Sequence, residues 1–99
     1  VEIYANLTEN RKVLILNPND NIGVCLEDLS AGTQIRQANL FVLIQESITR
    51  GHKIAIRDIS KDEGIIKYGE RMGHAITAIA AGEHVHVHNV LGDRLSTQS

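Results

Sequence analysis

Apolar positions in this chain come in short runs, and turn-forming residues separate them. Val13-Leu14-Ile15-Leu16 ends at Asn17-Pro18-Asn19-Asp20-Asn21, a dense set of turn formers. Further apolar stretches follow at 22–26, 40–44, 53–59, 64–68, 73–79 and 83–90. The last one, Glu83-His84-Val85-His86-Val87-His88-Asn89-Val90, alternates strictly, which is the period of a strand with one covered face. It predicts Val85 and Val87 against the core and His84, His86 and His88 on the opposite, exposed face. On that reading Val87→Asp buries an unpaired charge and destabilises markedly. Helical periodicity is scarce; residues 45–50 have room for a single turn. The polar tail 91–99 is expected to fray or to begin a linker. Many short strands with frequent turns predict an all-β domain, and the absence of a Ser- or Gly-rich linker predicts one domain over 1–99 with its core at about 12–90.

A weak internal repeat supports a chain that folds back on itself. Leu29-Ser30-Ala31-Gly32-Thr33-Gln34-Ile35 has the pattern apolar-x-x-Gly-x-x-apolar, and Ile79-Ala80-Ala81-Gly82-Glu83-His84-Val85 repeats it. Ile59-Ser60-Lys61-Asp62-Glu63-Gly64-Ile65 is a third copy with Asp62 at the glycine position. That position calls for a left-handed backbone, which glycine adopts freely and aspartate at some cost. Recurring turns account for the pattern as well as a duplicated unit does.

Composition narrows the function classes. Ninety-nine residues suit one small domain that buries about two-thirds of its extended surface. A net charge of −2 with scattered Lys and Arg excludes a basic nucleic-acid footprint. Three aromatic residues (Tyr4, Phe41, Tyr68) and no Trp exclude a platform for stacking bases. The lone Cys25 excludes an internal disulfide framework and a zinc ribbon, and fits a reducing compartment. With no apolar run near the ~20 residues of a membrane span and no signal-type leader, no membrane partner is expected, and cytoplasm is the default location.

Five histidines are an excess in so short a chain. Imidazoles at 84, 86 and 88 share one face of the predicted strand, roughly 7 Å apart, and neutral imidazole is a ligand for zinc, iron, copper and nickel. An exposed polar face over a valine core explains the same alternation. His52 in Gly51-His52-Lys53 opens an apolar strand beside a cation, where it can act as acid or base. His74 has the bland context of a loop histidine. In Lys67-Tyr68-Gly69-Glu70, the lysine can hold a carboxylate and the tyrosine can donate a proton, or simply cap the core. Asp58, Asp62, Glu63, Glu70 and Glu83 read as solvated turn residues, and Cys25 as a small buried hydrophobe.

Taken together, three segments resemble the amino-terminal domain of the altronate and galactarate dehydratase family. They are Asn19-Asp20-Asn21-Ile22-Gly23-Val24 with Asp28-Leu29-Ser30-Ala31-Gly32-Thr33; Arg50-Gly51-His52-Lys53-Ile54-Ala55-Ile56-Arg57-Asp58-Ile59; and Ile65-Ile66-Lys67-Tyr68-Gly69-Glu70 through Gly82-Glu83-His84-Val85-His86-Val87-His88-Asn89-Val90. Family members usually have Gly where Asp62 stands, and often Asp where Ala78 stands. The resemblance implies an SAF domain with the β-clip fold, and a hydro-lyase that removes water from a sugar acid with iron or manganese as divalent metal. It implies a larger catalytic domain or subunit as partner; self-association is left open. The small subunit of sulfolactate sulfo-lyase carries similar strings, and a non-catalytic carbohydrate- or partner-binding module is a third reading.

Within that implied chemistry, His52, His86, His88 and Tyr68 are the catalytic candidates. Lys53, Lys67 and Asn89 are the substrate-binding ones, and His86 and His88 are candidate metal ligands. His52 is expected to approach His86 and His88 at the edge of a site that another domain completes. His84, directly after the Gly82-Glu83 turn, is expected to matter less. A domain of this size has too little concave surface to enclose a polyhydroxy acid, so the isolated chain is expected to be inactive and to need no cofactor of its own.

Overall fold

The computed structural model describes residues 11–37 and 39–93, and every regular element in them is a β-strand. In chain order these are β1 (Val13–Leu14), β2 (Ile22–Cys25), β3 (Gln34–Gln37), β4 (Leu40–Leu43), β5 (Lys53–Ala55), β6 (Gly64–Lys67), β7 (Glu70–Ala75), β8 (His84–Val85) and β9 (Val90–Gly92). They form three small antiparallel sheets, β1-β2-β5-β8, β3-β4 and β6-β7-β9. The domain is all-β, as its punctuated apolar pattern predicts, and has the architecture of a small SAF-like β-clip domain.

The internal repeat is a structural unit, and it occurs four times. Leu29 and Ile48 exchange both backbone hydrogen bonds at 2.8 Å, and Ile59 and Ile79 do the same at 2.7 and 2.8 Å. Each apolar residue is followed three positions later by a left-handed residue: Gly32 (φ 90°), Gly51 (φ 88°), Asp62 (φ 73°) and Gly82 (φ 90°). The amide of each of these donates to the carbonyl of a facing segment, at Ile44, Cys25, Ala75 and Ala55 respectively. The fourth copy, Ile48-Thr49-Arg50-Gly51-His52-Lys53-Ile54, keeps the same apolar-x-x-Gly-x-x-apolar spacing and is not among the three read from the sequence. It also replaces the expected single helical turn over 45–50, where Ile48 is a bridge residue instead. Both apolar ends of every copy are buried, at Leu29, Ile35, Ile48, Ile54, Ile59, Ile65, Ile79 and Val85.

Paired turns brace one another. Asp28 Oδ1 accepts from the amide of Arg50, and Asp58 Oδ1 from that of Ala81. Glu63 and Glu83 accept from the amides of Ser60 and Ala80. Three of the acids read as solvated turn residues (Asp58, Glu63 and Glu83) therefore cap backbone. The core divides into two clusters. One gathers Val13, Cys25, Leu29, Ile35, Val42, Ile44, Ile48 and Ile54, the other Ile22, Ala55, Ile59, Ile65, Ala75, Ile79 and Val85. Burial pushes the Cys25 thiol up to about 11, so it packs as an inert hydrophobe.

Asp20 and Asn21, at the end of the turn-former run, are buried at 1% and 0% exposure. Asn21 Nδ2 donates to the carbonyl of Gly64 at 2.7 Å, and its Oδ1 accepts from the amide of Ile66 at 2.7 Å. Asp20 Oδ1 accepts from the amide of Gly69 at 2.8 Å. These bonds pin β6 and the Tyr68-Gly69 turn against β2. At the other end, β9 runs through Leu91 and Gly92, past the point where fraying was expected, and Asp93 is tied to Arg71 and His74. The rest of the expected tail, 94–99, lies outside the described residues.

Candidate functional site

The strand predicted over 83–90 stops after two residues. β8 pairs with β5 in the register Lys53↔Val85 and Ile54↔His84. One step further His86 would face His52, where the facing chain is a turn and no longer an extended strand: Gly51 stands at φ 88° and the His52 amide donates back to the Thr49 carbonyl. The amide of His86 turns instead to Asn89 Oδ1 at 3.0 Å, while Asn89 Nδ2 donates to the carbonyl of His84 at 2.8 Å. The amides of Asn89 and Val90 close the turn onto the carbonyl of His86.

This geometry corrects two expectations. Val85 is buried at 2%, but Val87 is 77% exposed at the apex of the turn, not packed against the core. Marked destabilisation by Val87→Asp is therefore withdrawn, because no charge would be buried there. Asn89 is 5% exposed, and both its amide atoms are spent on backbone, so its observed work is to hold the turn.

The turn gathers four imidazoles. Directly opposed residues of an antiparallel pair share a face, so His84 opposite Ile54 lies on the same side as His52, two residues before Ile54. His52 Nδ1 and His84 Nε2 are 2.9 Å apart, at hydrogen-bond distance, with their rings centred 5.0 Å apart. His86 lies 5.8 Å from His52 and 5.5 Å from His84, nearly parallel to the latter, and His88 lies 5.5 Å from His84. His52 and His86 thus come together as expected, and His88 joins them through His84. His84, expected to matter least, is the centre of the group. Its pKa falls below the usual 6.5, first through loss of hydration and then through repulsion by His52, His88 and His86. Glu46 opposes this weakly; its Oε2 accepts from the amide of His84 at 3.1 Å. Nothing in the sequence pattern joins Glu46 to residue 84.

Beside the cluster is an open cavity of about 350 Å³. Its apolar wall includes Ile22, Ile65, Met72 and Val85, and its polar groups are Lys53, Lys67 and His86. Both lysines nominated for carboxylate binding therefore meet in one concavity. Asn21 and Asp20 keep Lys67 there by fixing β6, and the β5–β8 register places Lys53 opposite Val85. His86 belongs to both the cavity and the imidazole cluster. Tyr68 is half-exposed in the β6–β7 turn, with the Lys67 ammonium 5.2 Å from its ring centre, and does not line the cavity. His74 stands apart from the other four histidines, with its Nδ1 3.1 Å from Asp93 Oδ1.

A metal centre does not fit this arrangement. Among the described residues no group of three His, Cys, Asp or Glu side chains is placed to hold an ion. One nitrogen each of His52 and His84 is already engaged with the other. No helix among the described residues is long and apolar enough to cross a membrane.

Altronate dehydratase of Escherichia coli is 47% identical over 70 residues, which cover 71% of this chain and 14% of that protein. Altronate dehydratase of Bacillus subtilis is 38% identical over 74 residues, covering 75% and 15%. The (2R)-sulfolactate sulfo-lyase subunit alpha of Chromohalobacter salexigens is 37% identical over 84 residues, covering 78% of this chain and 89% of the subunit. The chain thus spans about one-seventh of the dehydratases it matches, and nearly the whole of the sulfo-lyase subunit. Residues 11–93 match the family described as the altronate/galactarate dehydratase SAF domain, which includes both the imidazole turn and the lysine cavity, and the chain belongs to that family.

Proposed function

We propose that this domain supplies one wall of the substrate site of a sugar-acid dehydratase of the altronate type, with a larger catalytic body supplying the rest. The observation that carries the reading is the position of His86, shared between a cavity with two ammonium groups and a cluster of three further imidazoles. Lys53 and Lys67 hold the substrate carboxylate in the cavity. His86 takes the proton from the carbon beside that carboxylate, and the C–H electron pair passes into an enediolate whose charge the two lysines oppose. Expulsion of the neighbouring hydroxyl with a proton yields water and an enol, which becomes the keto acid. His52 and His84, joined through their ring nitrogens, accept and return protons beside His86. The lowered pKa of His84 favours its neutral form and makes it a weaker base than an ordinary imidazole, so a proton it takes up is readily passed on. The iron or manganese implied by the family resemblance would draw most of its ligands from the larger body. Tyr68 has no role in this scheme, and Asn89 acts by holding the turn.

In the complete enzyme, His52→Ala and His86→Ala should each lower kcat on altronate by roughly 10²-fold or more. His84→Ala should now be as costly, since the relay passes through it. Full turnover in both His52→Ala and His86→Ala removes the reading. The isolated 99-residue domain should be inactive with added iron or manganese, and turnover by it alone would contradict a shared site. A second reading is a subunit of a sulfo-lyase, favoured by the 89% coverage of the subunit alpha relative. Release of sulfite from sulfolactate, with no water loss from altronate, selects it.

A further inference from the structure

We infer that the face around Val87 is the docking surface for the larger body, and that docking closes the cavity of Lys53, Lys67 and His86. The inference rests on the reading above, that two bodies share one site. Val87 is the most exposed large apolar side chain among the described residues. A β-branched apolar residue is ill suited to the apex of a turn, where Asn, Asp, Gly and Ser predominate. The turn beneath it is held by four hydrogen bonds from His86, Asn89 and Val90. Val87 is thus a fixed apolar knob, and pre-ordered anchors of this sort dominate interface energies. Met72, 45% exposed, lies with it on the cavity wall.

Two observations identify the occupant. The same domain occurs as 14% of a dehydratase and as 89% of a named subunit. In the subunit form, a surface contact must hold the partner without a covalent link. Val90 and Gly92 of the last strand also line the cavity, so in a fused chain whatever follows β9 leaves from its rim. A second surface with exposed apolar side chains, Phe41 and Leu43 of the β3–β4 hairpin, carries no residue of the candidate site. Its Phe41 is partly covered by the Arg36 guanidinium, 4.9 Å from the ring centre. The larger body therefore presents an apolar recess to Val87 and Met72 and leaves the two lysines facing an enclosed, anion-accepting space.

The test is photo-crosslinking in the complete enzyme, single-chain or two-subunit, with benzoylphenylalanine placed at position 87 and, separately, at position 41. Peptides crosslinked to position 87 should come from the larger body, and position 41 should give none. In a two-subunit form, Val87→Asp should also weaken association roughly tenfold or more. A crosslink from position 87 only to another copy of this domain, or no crosslink from it to the larger body, overturns the inference. So does unchanged association of Val87→Asp. Neither readout requires turnover, so full activity of the His52→Ala and His86→Ala enzymes would remove the catalytic reading and leave the docking result standing.

Discussion

The β6–β7 hairpin and the segment after β8 begin from the same repeated turn and end differently. After Asp62, β6 runs four residues to Lys67, reverses through Tyr68 and Gly69, both at positive φ, and returns as β7. This is the two-residue reversal that matches strand twist, and it produces a continuous hairpin whose register shifts once, between Ile65 and Ile66. After Gly82, β8 stops at Val85, and Asn89 folds the next residues into a tight turn that sends His86, Val87 and His88 outward. One copy of the repeat is spent on structure, while the other sacrifices sheet to collect four imidazoles. The difference lies in the partner strand. Before Lys53 the partner chain is a turn, with Gly51 at φ 88° and the His52 amide bonded back to Thr49, so β8 meets no extended strand beyond Val85.

The largest expected effects break the fourth copy at its base. A Cβ at Gly82 would lie 1.9 Å from the carbonyl oxygen of Leu43, at a φ of 90°, so Gly82→Ala should cost about 2–5 kcal/mol in urea unfolding. Its counterpart Asp62→Gly, which relieves a left-handed aspartate, should instead stabilise by at most about 1 kcal/mol. Val85→Asp buries an unpaired charge and should unfold the domain at 25 °C or cost upwards of about 4 kcal/mol. Equal tolerance at Gly82 and Asp62 would dissolve the comparison.

A middle-sized effect tests the brace. Asn89→Ala removes the bonds to His84 and His86 and should cost about 1–2 kcal/mol. It should also separate the imidazoles, visible by NMR as a smaller depression of the His84 pKa, whereas a turn held by other contacts would leave that depression unchanged.

Acid sensitivity gives a smaller and more local signal. Above pH 6.5 His84 is neutral whether the chain is folded or unfolded, and it contributes nothing to pH dependence. Below 6.5 the unfolded chain takes up a proton that folded His84 resists, so stability falls until the pH passes below its lowered folded value. His52, His86, His88 and Glu46 face the same group, so the measured quantity is the difference between variants. His84→Gln should flatten the fall in Tm below about pH 6.5; an unchanged slope would assign it elsewhere.

The smallest expected effect is the sharpest contrast. Val87→Asp, two residues from Val85, should change folding stability by less than about 0.5 kcal/mol because its side chain stands in water. Destabilisation comparable to that of Val85→Asp would restore the continuous strand.

Short apolar runs, turn formers and spaced glycines were enough to predict an all-β chain and three of its four repeated turns. These features are local, and each constrains backbone conformation wherever the rest of the chain lies. Residue chemistry likewise nominated His52, His86, Lys53 and Lys67, and the fold brings all four to one neighbourhood. The alternation at 83–90 encoded a preference for extended backbone but not the length of the partner available to it. Only the tertiary structure, by setting β8 against a strand that begins at Lys53 after the Gly51 turn, ended β8 at Val85 and turned Val87 into solvent. The same pairing moved His84 from the edge to the centre of the cluster, brought Glu46 to its amide, and set Asn21 to hold β6. Those contacts join residues more than thirty positions apart, where hydrogen-bond partners are decided by which strands run out of neighbours and not by the pattern of either segment alone.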